Sequence, residues 1–302
     1  MSIVGSTFVG NFGFAGAGAL WIENAKSMEL RSSQLIGNLG ASFSFGGGAL
    51  SIIHNEAHVN VIQGNHFERN LANGGGGAVA FQHLLCSEVT ENTYTIQENM
   101  FLDNTVTPYG SGAALAWFNF PPSLPNEVVN NTLVFTANRY LGNRAPSGGA
   151  VAIDYEMVSP YTGRQASISV SYGNVHNFIN EEVQNNSAVQ GNGGGMTIRL
   201  PRGAGAGGGR SHFWGTSIVG NNATCFRCFG AGLHIMNGFS EIDSTSFENN
   251  AASGLGSAIG VEGANSSLAV SNSTFINNES GDVASSSMGL LPTSRRTVCL
   301  PQ

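Results

Sequence analysis

The chain is poor in charge: Asp, Glu, Lys and Arg make up 10% of its 302 residues, against about 25% in an ordinary globular protein. Lys26 is the only lysine, and 12 basic against 19 acidic residues leave a formal charge of −7. Phosphate binding needs clustered Lys or Arg, so no nucleic-acid partner is expected. No apolar run approaches the roughly 20 residues that a membrane-spanning helix needs, so no transmembrane segment is expected in this stretch. A basic segment followed by an apolar one, the mark of a secretion signal, is also lacking at the N-terminus. The four cysteines, Cys86, Cys225, Cys228 and Cys299, are too few and scattered for a disulfide framework. Cys225 and Cys228 have the spacing of half a zinc site, but no second Cys or His pair accompanies them. No metal or other cofactor is therefore expected, and a local disulfide and two unpaired thiols both fit.

Glycine is abundant instead, at 42 residues, about twice its usual share. A hydrophobic fraction of 41% argues for a folded chain. The order in the sequence is a repeat. An apolar residue leads each of nine copies, namely Phe8, Leu35, Phe67, Phe101, Tyr140, Val183, Ile218, Phe247 and Phe275. Three places after each stands an asparagine: Asn11, Asn38, Asn70, Asn104, Asn143, Asn186, Asn221, Asn250 and Asn278. Five places before it stands a second apolar residue: Ile3, Leu30, Ile62, Ile96, Phe135, Phe178, Phe213, Ile242 and Val270. Two places before it the residue is always polar, from Ser6 and Ser33 through Asn65, Asn99, Asn138 and Glu181 to Thr216, Thr245 and Ser273. A second element, Gly-Gly-Ala or a near variant, follows all but the last copy and opens an alternating strand. Its inward pairs run from Leu20 and Ile22 through Val79 and Phe81 to Ile259 and Val261.

Copies recur at the period of a solenoid turn, and Gly, Asn and β-branched residues fill positions where a helical repeat needs Ala, Leu, Glu and Lys. The pattern predicts a right-handed parallel β-helix of about nine coils, three strands to a turn, spanning residues 1–281. Residues 282–302 leave the pattern as a tail or cap. Stacked at about 4.8 Å, the nine asparagines should form one amide ladder beside apolar columns. Gly-Gly should supply positive φ at the corner, and Ala room inside it. Because Ile3 and Phe8 already stand in register, the chain is expected to be a fragment of a longer protein.

Alternating Phe-x-x-Asn and Gly-Gly-Ala-Ile/Leu/Val motifs from Ile3 to Asn278 resemble those of the polymorphic membrane protein family, first known as chlamydial surface autotransporters. The resemblance implies a pectin-lyase-like β-helix, displayed on the cell surface or outside the cell and acting in adhesion. Its partners would be cell-surface or matrix glycans or proteins.

Chemistry should sit where repeats differ. The link from the Gly-Gly-Ala strand to the next coil is short in the first coil and swells over residues 83–93, 119–131, 154–167 and 199–210. These insertions should leave from one corner. Asp154, Tyr155, Glu156, Tyr161 and Arg164 could bind a sugar through carboxylate hydrogen bonds and aromatic stacking. No catalytic residue is assigned, because the adjacent acidic pair of polysaccharide hydrolases is missing. His54, Glu56 and His58 read as surface polar residues, and the glycine run 203–209 as a flexible loop. The small outward residues of the Gly-Gly-Ala strands, Ser51, Ala80, Ala116 and Ala152 among them, would either accept another surface or lie under loops. Asn-x-Ser/Thr sequons at Asn130, Asn185, Asn222, Asn265, Asn272 and Asn278 permit glycosylation. The expected function is a non-enzymatic surface or extracellular β-helix, adhesive or structural. The alternatives are a carbohydrate-active enzyme using the central loop corner, and a fragment with no function of its own.

Overall fold

A computed structural model describes residues 1–14, 16–23, 25–41, 46–53, 58–84, 88–107, 110–120, 127–155, 170–200, 209–225, 228–263 and 266–281. The expected 282–302 tail lies outside these residues. The chain winds through four parallel sheets, here A to D in the order each coil visits them, with nine strands each in A, B and C and eight in D. The third coil is typical: Val59–Gln63 lies in A, His66–Glu68 in B, Leu71–Ala72 in C and Val79–Leu84 in D. The fold is a parallel β-helix of nine coils.

Three strands per turn was one too few. The fourth, in sheet C, is only two residues long, too short to show alternation in a sequence. It forms because the residue after each ladder asparagine donates its N–H to the asparagine carbonyl of the coil before, as Leu71 does to Asn38 and Thr105 to Asn70, both at 2.9 Å. Its inward position is a small-residue column, Gly40, Ala72, Val106, Ala145, Ala188, Ala223 and Ala252, which keeps this corner narrow.

The columns read from the sequence are in register. In sheet A, Ile3, Leu30, Ile62, Ile96, Phe135, Phe178, Phe213, Ile242 and Val270 pair in succession. In sheet B the leading residues, from Phe8 to Phe275, do the same. Like rings therefore stack, Phe67 on Phe101 at 4.9 Å and Phe178 on Phe213 at 4.6 Å between centroids, each pair nearly parallel. Burying a side chain of this size contributes about 2 kcal/mol per ring.

The asparagine ladder is continuous from Asn11 to Asn278. At every step Oδ1 accepts both the backbone N–H and the Nδ2–H of the preceding asparagine, at 2.9–3.1 Å. A second ladder runs from Ser33 through Asn65, Asn99 and Asn138 to Glu181, built from the polar column two places before each leading residue. Immediately before the ladder residue, both turns hold a left-handed backbone. Gly10, Gly37, Gly142 and Gly220 serve the first ladder, with Arg69, Asp103, Asn185, Asn249 and Asn277 in the other coils.

The Gly-Gly pair divides its work. In the later coils the first glycine carries the positive φ, as at Gly148 (60°) and Gly193 (65°), whereas in the second and third coils that role falls one residue earlier, on Gly46 and Gly75. The second glycine is needed for space: a Cβ on Gly149 would lie 1.9 Å from the Gly194 carbonyl oxygen and 2.6 Å from the Ser187 nitrogen. Gly149→Ala is therefore expected to cost about 3 kcal/mol, because backbone cannot move aside. Gly37 has nothing within 4 Å of the Cβ position but a φ of +61°. Gly37→Asn should stay within about 0.5 kcal/mol of the parent, since asparagine tolerates this backbone. Urea unfolding of the two variants checks the contrast.

Candidate functional site

The corner from sheet D to sheet A gains two devices that the sequence reading missed. Strands Glu88–Thr90, Glu127–Val129 and Val170–Tyr172 pair in parallel as a side sheet, so the central insertions rejoin the helix in register. Beside them a third ladder steps from the His58 backbone N–H to Asn92, Asn131 and Asn174. It pins the points where the insertions end. Its signal was present as Glu91-Asn92, Asn130-Asn131 and Gly173-Asn174, each a left-handed residue followed by asparagine, the same doublet as in the other two ladders. His58, expected on the surface with His54 and Glu56, is instead buried at the first step. His54 and Glu56 lie outside the described residues, as do Cys86, Cys299, Asn265 and residues 203–208.

Past the first coil, where Trp21 is exposed, the middle outward column of sheet D is not open. Ser51, Ala80, Ala116 and His234 are fully buried, and Ala152 and Thr197 nearly so. The glycine turns explain this: a Cβ on Gly112 would meet the Ala152 nitrogen at 2.8 Å, and one on Gly230 the Gly260 nitrogen at 2.7 Å. These turns thus fold over the strand of a neighbouring coil, where small residues such as Ala152 and Gly260 fit closely beneath them. The face was expected either to accept another surface or to lie under the long loops; the cover seen here is the glycine turns instead.

Among the five candidate binding residues, Glu156, Tyr161 and Arg164 lie outside the described residues. Asp154 and Tyr155 diverge. Asp154 ends strand Val151–Asp154 facing outward, and its Oδ2 lies 3.1 Å from Arg199 Nη1 on the next coil. The pairing follows from register, both residues standing three places into their sheet D strands. Tyr155 turns inward and is fully buried beside Trp117, with ring centroids 4.4 Å apart. Its hydroxyl donates to His176 Nε2 at 2.7 Å. Burial pushes the His176 imidazole down to about 4, despite a hydrogen bond to the Arg210 backbone that acts the other way. The imidazole is therefore neutral at pH 7 and accepts from the tyrosine.

A second pair of titratable groups adjoins Asp154 and Arg199. His234 Nε2 lies 3.7 Å from Glu262 Oε2 and 3.4 Å from Asn192 Nδ2. The Asn192 amide is oriented by the Phe229 N–H, which donates to its Oδ1 at 2.8 Å. Burial holds the His234 imidazole below its usual range. Asp154 and Arg199 thus form an ion pair at the roots of the two later insertions, with the buried His234 and its neighbour Glu262 beside them on the same face of sheet D.

Glu181, read from the sequence only as a polar member of its column, replaces asparagine in the second ladder. Burial pushes its carboxyl up to about 8, and hydrogen bonds from the Asn138 backbone and amide only partly counter this. Cys225 and Cys228 form a local disulfide, which decides between the two states the sequence left open. Among the described residues, no three His, Cys, Asp or Glu side chains gather as metal ligands.

Sheet A is the contrasting face. In strands Val175–Ile179, Arg210–Trp214 and Phe239–Asp243 every second residue is at least partly exposed, and Trp214, Arg210 and Glu241 are open to solvent. Arg210 Cζ lies 5.9 Å from the Phe239 ring centroid. Compared with protein-family models, curated proteins and solved structures, the chain matches none.

Proposed function

We propose that this β-helix is a non-enzymatic rod of the cell surface or extracellular space, adhesive or structural, with cell-surface or matrix glycans or proteins as partners. The observation that carries this reading is that regular side chains of the repeat are bound up in coil-to-coil stacking: three amide ladders, the apolar columns and a sheet D face closed by its own glycine turns. Specificity is left to the outer face of sheet A and the insertion corner. The motif resemblance to the polymorphic membrane proteins supports surface display and adhesion, and a fold of this kind hosts many functions, so the site must decide. The second reading, a carbohydrate-active enzyme on the insertion corner, draws on the grouping of Asp154, Arg199, His234 and Glu262.

The two readings part on turnover. Labelled oligosaccharides incubated with the full chain should be retained or ignored but recovered at full length, while the chain binds cells or immobilised matrix. Shortened or unsaturated products would overturn the non-enzymatic reading. If Asp154→Asn and Arg199→Met abolished those products, the enzyme reading would take its place.

A further inference from the structure

The middle column of sheet D is covered past the first coil, whereas the outer face of sheet A is open and changes character along the rod. Outward side chains in coils three to six are uncharged, from Val59, Val61 and Gln63 to Val175, Asn177 and Ile179. In the next two coils they become Arg210, His212 and Trp214, then Phe239, Glu241 and Asp243. Trp214 is 45% exposed, whereas Trp117 is fully buried and the other exposed tryptophan, Trp21, lies in the first coil. A large indole left in water on the outer face of a regular sheet stabilises nothing that the columns need. Around it stand groups of both signs. Glu241 is the Cα partner of His212, and Asp243 the partner of Trp214. Asp243 is held in place by Ser271 Oγ and Asn272 Nδ2, each at 2.9 Å.

We infer that this platform, running from Arg210 through His212 and Glu241 to Trp214 at its end, is a contact site for a neutral oligosaccharide chain. Size excludes a protein dimer: two rungs of five residues cover on the order of 150 Å², against about 800 Å² per partner in a stable interface. Charge excludes acidic glycans, because a uronate would meet Glu241 and Asp243 against the single guanidinium of Arg210. A neutral sugar satisfies each group. Its ring C–H bonds lie on the indole face, its hydroxyls donate to Glu241, and its oxygens accept from Arg210. The flat pleat lets a linear polymer pass without a cleft, and Arg210 and Phe239 continue it to the insertion corner.

The inference deepens the glycan-binding reading and rests on it. Trp21→Phe leaves Trp214 as the exposed fluorophore among the chain's three tryptophans. This variant is titrated with cellohexaose, mannohexaose, xylohexaose and a hexamer of galacturonate, with calorimetry in parallel. At least one neutral hexasaccharide should change Trp214 emission. Trp214→Ala should weaken that binding about tenfold, and Trp214→Leu, which keeps the apolar cover but lacks the aromatic face, should do the same. Neutral saccharide binding with unchanged affinity in both variants overturns this site and leaves the glycan reading standing. Preference for the galacturonate hexamer overturns the ligand class. Absence of saccharide binding by a chain that still binds cells or matrix protein also removes the inference, while a chain that binds neither removes the wider reading as well.

Discussion

Asn143→Leu should lower the unfolding free energy by about 4 kcal/mol, the largest loss expected from one polar side chain in this rod. Asn143 Oδ1 accepts from the backbone N–H and the Nδ2–H of Asn104, both at 3.0 Å, and its own Nδ2 donates to the Phe101 carbonyl and to Asn186 Oδ1. Leucine is of similar size but can replace none of these bonds, each contributing about 1 kcal/mol and more where a buried backbone N–H is left unmade. The Asn104 N–H is such a group, since Asn104 is fully buried. Asn11 makes only donor bonds to Asn38 among those described, at the partly buried first step. Asn11→Leu should therefore cost less than about 1 kcal/mol. Urea unfolding of both variants reads the gradient. Because solenoid stability is a sum of nearest-neighbour terms, the central variant should also broaden the transition as the two halves uncouple.

Glu181→Gln should make the protein more stable at alkaline pH. Glu181 has a folded pKa raised from 4.5 to about 8 by burial, so the folded state binds the extra proton between those values. Stability then falls as pH rises through that window, by about 1.4 kcal/mol per unit, and levels off above about pH 8. His176 acts with the opposite sign. Its folded pKa is depressed from 6.5 to about 4, so stability is lost as pH falls from 6.5 toward 4. Between pH 4.5 and 6.5 the two slopes oppose each other, and above pH 6.5 only the Glu181 slope remains. Glutamine at this position would keep an acceptor for Asn138 without a charge to desolvate. The variant should thus be flat from about pH 6.5 to 9 in thermal unfolding and exceed the parent at pH 9 by about 4 kcal/mol. A parent whose melting temperature does not fall between about pH 6.5 and 9 would contradict a buried, protonated Glu181.

How much of this was legible depended on repetition. The Asn11 to Asn278 ladder and the Ile3 to Val270 column could be read because nine copies shared an offset and stacking needs like on like. Sheet C could not, since two residues have no period. The ladder of Asn92, Asn131 and Asn174 covers only the coils with insertions, and those insertions shift its spacing in the sequence; only the left-handed doublet would have found it. Asp154 and Arg199 stand 45 residues apart, and their pairing appears once both are counted from their own Gly-Gly-Ala motifs. Tyr155 was legible in principle. The inward pair Val151 and Ile153 sets an alternation whose next inward place is 155, and there the ring is buried beside Trp117, although it was grouped with Asp154 as a sugar-binding residue.

Register is the claim on which the columns, the ladders and the sheet A platform all depend, and crosslinking measures it directly. Thr95 and Val134 are Cα partners on the outer face of sheet A, about 4.8 Å apart and within disulfide range. Thr136 lies on the same face two residues on, a diagonal of about 8 Å and out of range. In a chain carrying Cys86→Ser and Cys299→Ser, the pair Thr95→Cys with Val134→Cys should close under mild oxidation, while Thr95→Cys with Thr136→Cys should stay reduced. Closure of the second pair and not the first would place the fourth coil two residues out of register and contradict the fold described.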